Sequence, residues 1–157
     1  MSPEASELYC LLIPLQSARL LVPRVCVAEV VAFSGPERPA ENGELPGWYL
    51  GSIDWNGRRI SVVSFEAMSG EPAQKRAGRT RIVVFHAIGD QLKTGFFGLI
   101  TQGFPQLVRV NSDVLAPDRE RGWPEEQPVL CRTRMINEYP MVPDMERLES
   151  MIAELSV

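Results

Sequence analysis

The fold is decided by a stretch that reads WYLGSIDWNGRRISVVSF at residues 48–65. Two apolar segments in it, Trp48–Trp55 and Arg58–Phe65, are separated by the dipeptide Asn56-Gly57. Asn-Gly tolerates the positive φ angles of a type I′ turn, so this pattern predicts a two-residue β-hairpin. Gly51, inside the first segment, indicates a bend or a close backbone approach.

Outward from the hairpin, short segments rich in Val, Ile and Phe recur on both sides, divided by Gly and Pro. Such segments are typical of β-strands. The runs at 81–85 and 96–100 are apolar without alternation, which predicts strands that are buried on both faces. Further strands are predicted at residues 9–14, 19–22, 25–33, 81–88, 94–101, 104–110 and 129–136, with loops at 34–47, 70–78 and 111–128.

One helix is predicted near the C-terminus, where Asp144 can cap it directly after Pro143. Glu146 and Glu149 lie near its start, where the helix dipole favours negative charge. Apolar residues then recur at helical spacing and give the helix one apolar face. They are Met145, Leu148, Met151, Ile152 and Leu155.

The bulk composition fits one globular domain and excludes several classes of protein. The chain has 157 residues and a net charge of -4, whereas a nucleic-acid-binding protein normally shows a basic balance. Its apolar stretches are too short to cross a membrane, and the first ten residues lack the pattern of a signal peptide. We therefore expect a cytoplasmic protein whose cysteines, Cys10, Cys26 and Cys131, are reduced.

The sequence predicts no catalytic, cofactor or metal site. The single histidine, His86, falls inside a predicted strand, and adjacent carboxylates occur in loops. No phosphate-binding glycine loop or nucleophile elbow is present. Two other classes stay open besides a protein-docking module. A small-molecule-sensing β-barrel requires a deep internal cavity, and an enzyme requires clustered ionisable groups with perturbed pKa values.

The order and spacing of several short motifs resemble the CheW-like domain of bacterial chemosensory coupling proteins. The resemblance extends from about Leu8 to Leu155. The motifs are LVP at 21–23, VCVAEVV at 25–31, LP at 45–46, YLGSIDWNG at 49–57, ISVVSF at 60–65, GLI at 98–100 and DMERL at 144–148.

This resemblance implies a mostly β fold with two side-by-side five-stranded SH3-like β-barrels and a C-terminal α-helix. Residues 8–157 are then a single domain of two barrel subdomains, preceded by a disordered tail at 1–7. The resemblance also implies a non-enzymatic adaptor without a cofactor. Such adaptors link the cytoplasmic tip of methyl-accepting chemoreceptors to the regulatory domain of a CheA-type histidine kinase.

Carried over by position, the resemblance assigns two sets of docking residues. Glu29 and Val30 match the segment that contacts the kinase. Gly51, Ile53 and Asn56 match the hairpin beside the receptor-binding groove. From the residues alone, Val30 and Ile53 are equally compatible with core positions, and Gly51 with a purely conformational role.

Some positions depart from the family pattern. Asn56 stands where the family usually has Arg, and Ser61 and Ser64 replace a usual Pro and Asp. Gln102 stands where an Asp often follows the later strand. These departures point to a divergent, ChpC-type member of a chemosensory system linked to type IV pili and twitching motility.

Overall fold

A computed structural model describes residues 7–39, 45–72 and 76–155. The predicted tail at 1–7 lies outside these ranges except for Glu7, and parts of the predicted loops at 34–47 and 70–78 also lie outside them. The strands in chain order are β1 (Leu8–Pro14), β2 (Arg19–Pro23), β3 (Val27–Ala32), β4 (Tyr49–Trp55), β5 (Arg58–Val63), β6 (Arg81–His86), β7 (Phe96–Thr101), β8 (Gln106–Val110), β9 (Ala116–Pro117), β10 (Val129–Arg134) and β11 (Met141–Pro143). The α-helices are α1 (Phe65–Met68) and α2 (Met145–Ala153), and a 3₁₀ helix at Arg24–Cys26 takes the start of the strand predicted at 25–33.

The strands form two sheets, and the second is an insertion into the first. One sheet has the order β8-β1-β2-β11-β10-β9, and the other has the order β3-β6-β7-β5-β4. All five strands of the second sheet come from the chain between β2 and β8. The first sheet has six strands where five were expected, and its shortest member is the two-residue β9.

The five-stranded sheet curls on itself, as a barrel requires. Its edge strands, β3 and β4, are four strand spacings apart, which is about 19 Å in a flat sheet. Yet the Trp55 indole Nε1 on β4 donates a hydrogen bond of 2.9 Å to the Glu29 Oε1 on β3. The curled sheet encloses a small apolar core of Ile53, Ile60, Val62, Ile82 and Val84.

The central core lies between the two sheets, and β6 shows how one strand serves two cores. Ile82 and Val84 face the inside of the five-stranded barrel. Val83 and Phe85 alternate with them and face the central core. The unalternating apolar run was therefore correctly predicted to be buried on both faces. The central core also takes Ile13 and Leu20 from the first sheet, Phe97 and Leu99 from β7, and Leu148 and Ile152 from α2.

The hairpin turn has the predicted conformation, since Asn56 and Gly57 have φ angles of 48° and 76°. The strand after it ends earlier than predicted. Phe65, expected in the strand, begins the short helix α1. Ser64 caps this helix, because its hydroxyl oxygen accepts a hydrogen bond of 3.2 Å from the Ala67 N–H.

The C-terminal helix is also as predicted. The Asp144 carboxylate caps α2 by accepting a hydrogen bond of 3.2 Å from the Arg147 N–H. Leu148 and Ile152 are buried in the central core, and burial of such a side chain stabilises the fold by about 1.5–3 kcal/mol. Within the described ranges, neither helix has the length and apolar character needed to span a membrane.

Candidate protein-docking surface

Glu29 is exposed and its carboxylate is fixed in place. A β-bulge between Val27 and Glu29 shifts the register of β3, so that Glu29 lies opposite Val84. The shift turns Glu29 toward the barrel face of the sheet, where the Trp55 indole donates to it. A charged group among apolar neighbours is normally exposed or paired, and Glu29 is both.

Aromatic and basic side chains surround this carboxylate at one end of the barrel. The ring centroids of Trp55 and Phe96 are 4.8 Å apart, and those of His86 and Phe96 are 5.2 Å apart. The Arg58 guanidinium lies 5.1 Å from the Phe96 ring centroid and donates to the Thr94 carbonyl at 2.7 Å. We call the set Glu29, Trp55, Arg58, His86 and Phe96 the hairpin-end surface.

The chemistry of the hairpin-end surface suits protein recognition. Glu29, Arg58 and His86 are exposed, and the two large rings are partly buried beneath them. Aromatic and Arg side chains are enriched at the centres of protein interfaces, where they bury large areas at low entropic cost. Hydrogen bonds and ring contacts already hold these groups, so binding has little side-chain freedom left to remove.

Val30 follows Glu29 in the chain but faces the other side of the sheet. It lies opposite Val83 and packs, partly buried, against the central core. The two residues predicted for kinase contact therefore do not share a face of β3.

The three residues predicted for the receptor groove have different environments. Gly51 has a φ of +127°, and a Cβ there would lie 2.6 Å from the carbonyl carbon and oxygen of Glu37. Glu37 and Ser52 exchange backbone hydrogen bonds of 2.8 and 2.9 Å, so only glycine allows this approach. Ile53 is 7% exposed and belongs to the barrel core. Asn56 is exposed at the turn.

Sequence reasoning missed an arginine that ties the hairpin to the preceding loop. Arg59 Nη1 lies 3.1 Å from Asp54 Oδ1, and its Nη2 lies 2.5 Å from Glu37 Oε1. Hydrogen bonds to Glu37 and then to Asp54 raise the pKa of Arg59 above its usual value. The contact with Asp54 follows from hairpin register, since the two residues are cross-strand partners. Nothing local in the sequence points to Glu37.

The interior of the five-stranded barrel is filled by side chains. Ile60, Val62, Ile82 and Val84 are fully buried against one another, whereas a ligand-sensing barrel needs a cavity there. Elsewhere, burial raises the pKa of Glu66 and of the three cysteine thiols. Across the described ranges, no group of three or more His, Cys, Asp or Glu side chains is placed to hold a metal ion.

Comparison with known proteins confirms the resemblance. A family model described as the CheW-like domain matches residues 9–148, and the chain belongs to this family. The solved structure of the scaffolding protein TtCheW from Thermoanaerobacter tengcongensis matches with a TM-score of 0.69 and 15% identity, over 88% of this chain and 84% of that chain. At this identity the match shows the fold. No curated protein matches at a significant level.

Family membership supports the general role of a chemotaxis coupling adaptor. The predicted fold class, mostly β with two sheets and a C-terminal helix, is confirmed. The assignment of individual residues to a kinase or a receptor stays a prediction, and so does the extent of a single domain over 8–157.

Proposed function

We propose that this member of the CheW-like domain family is a non-enzymatic adaptor that couples chemoreceptors to a CheA-type histidine kinase. The observation that carries the proposal is the hydrogen bond from Trp55 to Glu29. It holds an exposed carboxylate beside aromatic rings and the cation of Arg58, at the position that the resemblance assigns to the kinase.

Glu29 and Asn56, which the resemblance assigns to the kinase and the receptor, adjoin through Trp55. Its indole binds Glu29, and the next residue in the chain is Asn56 at the hairpin tip. An adaptor needs its two docking sites in a fixed relation, and the hydrogen bond between β3 and the β4–β5 hairpin supports such a relation. On the kinase, the adaptor binds the regulatory domain. On the receptor, it binds the cytoplasmic tip of a methyl-accepting chemoreceptor. Asn56 in place of the family's usual Arg supports a divergent, pilus-linked system as the setting.

The change Glu29→Lys tests the kinase contact. It removes the acceptor of the Trp55 N–H and reverses one exposed charge, while the barrel core beneath stays intact. We expect affinity for the kinase regulatory domain to fall about tenfold or more, as for a hot-spot residue. The thermal midpoint should move by less than about 3 °C, since Glu29 is exposed. Affinity is measured by isothermal titration calorimetry.

Two variants serve as controls for this test. Glu29→Gln keeps an oxygen acceptor for Trp55 and should bind with intermediate affinity. Glu126→Lys makes the same charge change at an exposed loop position and should bind like the unchanged protein. Unaltered binding by the Glu29→Lys variant would remove Glu29 from the kinase interface. An equal loss with Glu126→Lys would show a general charge effect instead.

A further inference from the structure

An open basin lies where the two sheets meet, with a volume of about 1010 Å³. The first sheet contributes the β1–β2 loop and the hairpin between β10 and β11, and the second contributes residues 76–79 ahead of β6 and Gln102 after β7. Four arginines line it: Arg19, Arg76, Arg79 and Arg132. We call it the arginine basin.

The arginine basin is positive in a protein that is negative overall. Four of the chain's 16 basic residues line it, although the net charge of the chain is -4. Of the described residues that line it, one is acidic, Glu138, and its Oε1 lies 3.4 Å from Arg19 Nη1, so that carboxylate is already paired. Among the described residues that line the basin, no carboxylate pairs with Arg76, Arg79 or Arg132.

Three of the basin arginines, Arg76, Arg79 and Arg132, have no carboxylate partner among the described residues, unlike Arg59 and Arg121 elsewhere on the surface. Arg59 and Arg121 each bind an aspartate through a guanidinium nitrogen. Arg79 is exposed and has no hydrogen bond or ion pair with any residue that the structure describes. Arg132 donates its Nε to the Gly122 carbonyl at 3.0 Å, and the Arg76 guanidinium lies 4.6 Å from the Phe33 ring centroid.

We propose that the arginine basin is a docking site for an acidic segment of a partner protein, one that presents several Asp or Glu side chains. A guanidinium binds a carboxylate in a bidentate, planar geometry. The arginines come from three chain segments that line the basin. Several cations from separate segments favour several carboxylates along a chain over one compact phosphate group.

The arginine basin and the hairpin-end surface lie at opposite ends of β6. Arg81 begins that strand beside the basin, and His86 ends it within the hairpin-end surface. Five residue steps along a strand correspond to about 17 Å. The arginine basin is therefore a surface separate from the residues assigned to the kinase and the receptor.

The test uses a fluorescein-labelled peptide of ten glutamates and measures binding to the full chain by fluorescence anisotropy. The variant Arg79→Glu lowers the positive charge of the basin, and Arg76→Glu/Arg79→Glu makes it negative. The matched control is Arg119→Glu/Arg134→Glu, which makes the same double charge change at exposed arginines outside the basin. Thermal unfolding checks that each variant is folded.

We expect the double basin variant to lose at least about fivefold in affinity, from two exposed ion pairs reversed in sign. The control should lose less than half as much, and amide NMR shifts of the unchanged protein on adding peptide should map to residues 14–19, 76–79 and 137–140. Equal losses in both variants, or shifts elsewhere, would overturn the proposal. Displacement of the peptide by equimolar inorganic pyrophosphate would overturn it in favour of a phosphate ligand.

Discussion

Glu149 offers the sharpest test of how the fold is held together. It lies on α2 with none of its surface exposed, although it is a carboxylate. Its Oε2 accepts a hydrogen bond of 2.7 Å from the Ile88 N–H, and its Oε1 accepts one of 2.9 Å from the Gly89 N–H. The C-terminal helix thereby fixes the loop that joins β6 to β7.

The cost of removing this carboxylate follows from those two bonds. Glu149→Ala leaves two backbone N–H groups without an acceptor at a buried site, and each such group costs about 1–3 kcal/mol. The missing side-chain atoms leave a cavity, which adds to the cost. We expect the free energy of unfolding to fall by about 3–5 kcal/mol, a large share of the 5–15 kcal/mol of an ordinary domain. Glu149→Gln, which keeps one acceptor oxygen, should lose about half as much.

Urea unfolding followed by tryptophan fluorescence measures this change, and Glu154→Ala is the control. Glu154 is exposed at the end of α2, so its removal should change stability by less than about 0.5 kcal/mol. Hydrogen exchange should also quicken at the Ile88 and Gly89 amides in the Glu149→Ala variant. The reasoning fails if both alanine variants unfold at the same urea concentration, or if those two amides stay equally protected.

Three further predictions concern single positions. Gly51→Ala should destabilise the protein by about 3 kcal/mol, because its φ is positive and the new Cβ would overlap Glu37. Gly47→Ala, with open space around the new Cβ, should cost under about 1 kcal/mol. Equal urea midpoints for the two variants would contradict this. Asn56→Ala should cost about 1 kcal/mol at its φ of 48° and Asn56→Gly almost nothing, and the reverse order of thermal midpoints would be contrary evidence. Burial raises the pKa of Glu66 above its ordinary 4.5, so the folded state holds this proton more tightly and stability falls as pH rises from 4.5 to the raised value. Glu66→Gln should remove this loss of stability with rising pH. Parallel plots of thermal midpoint against pH for the variant and the unchanged protein would refute the prediction.

The features that the sequence predicted correctly are those that depend on neighbouring residues. The Asn56-Gly57 turn needs two adjacent residues that tolerate positive φ. Burial of β6 on both faces follows from a run without polar residues. The start of α2 follows from one capping aspartate, Asp144, before an amphipathic pattern.

Glu149 shows why the remaining features could not be predicted. The sequence places it near the start of a helix, where a solvated carboxylate interacts with the dipole. The structure instead buries it against amides that lie 60 and 61 residues away in the chain. The contact of Glu37 with Ser52 and the parallel pairing of β11 with β2 are likewise long-range. Such pairings depend on how the inserted barrel packs against the first sheet. The spacing of apolar residues within one segment does not encode that packing.

The shared core gives the two proposed docking surfaces a common support. β6 is buried on both faces, so it cannot shift without disturbing the barrel core and the central core together. Its two ends lie beside the arginine basin and within the hairpin-end surface. Close-packed interiors resist continuous deformation and transmit displacement. The packing of β6 in both cores therefore holds its two ends at a fixed distance, and the proposed docking surfaces at those ends keep a fixed relation.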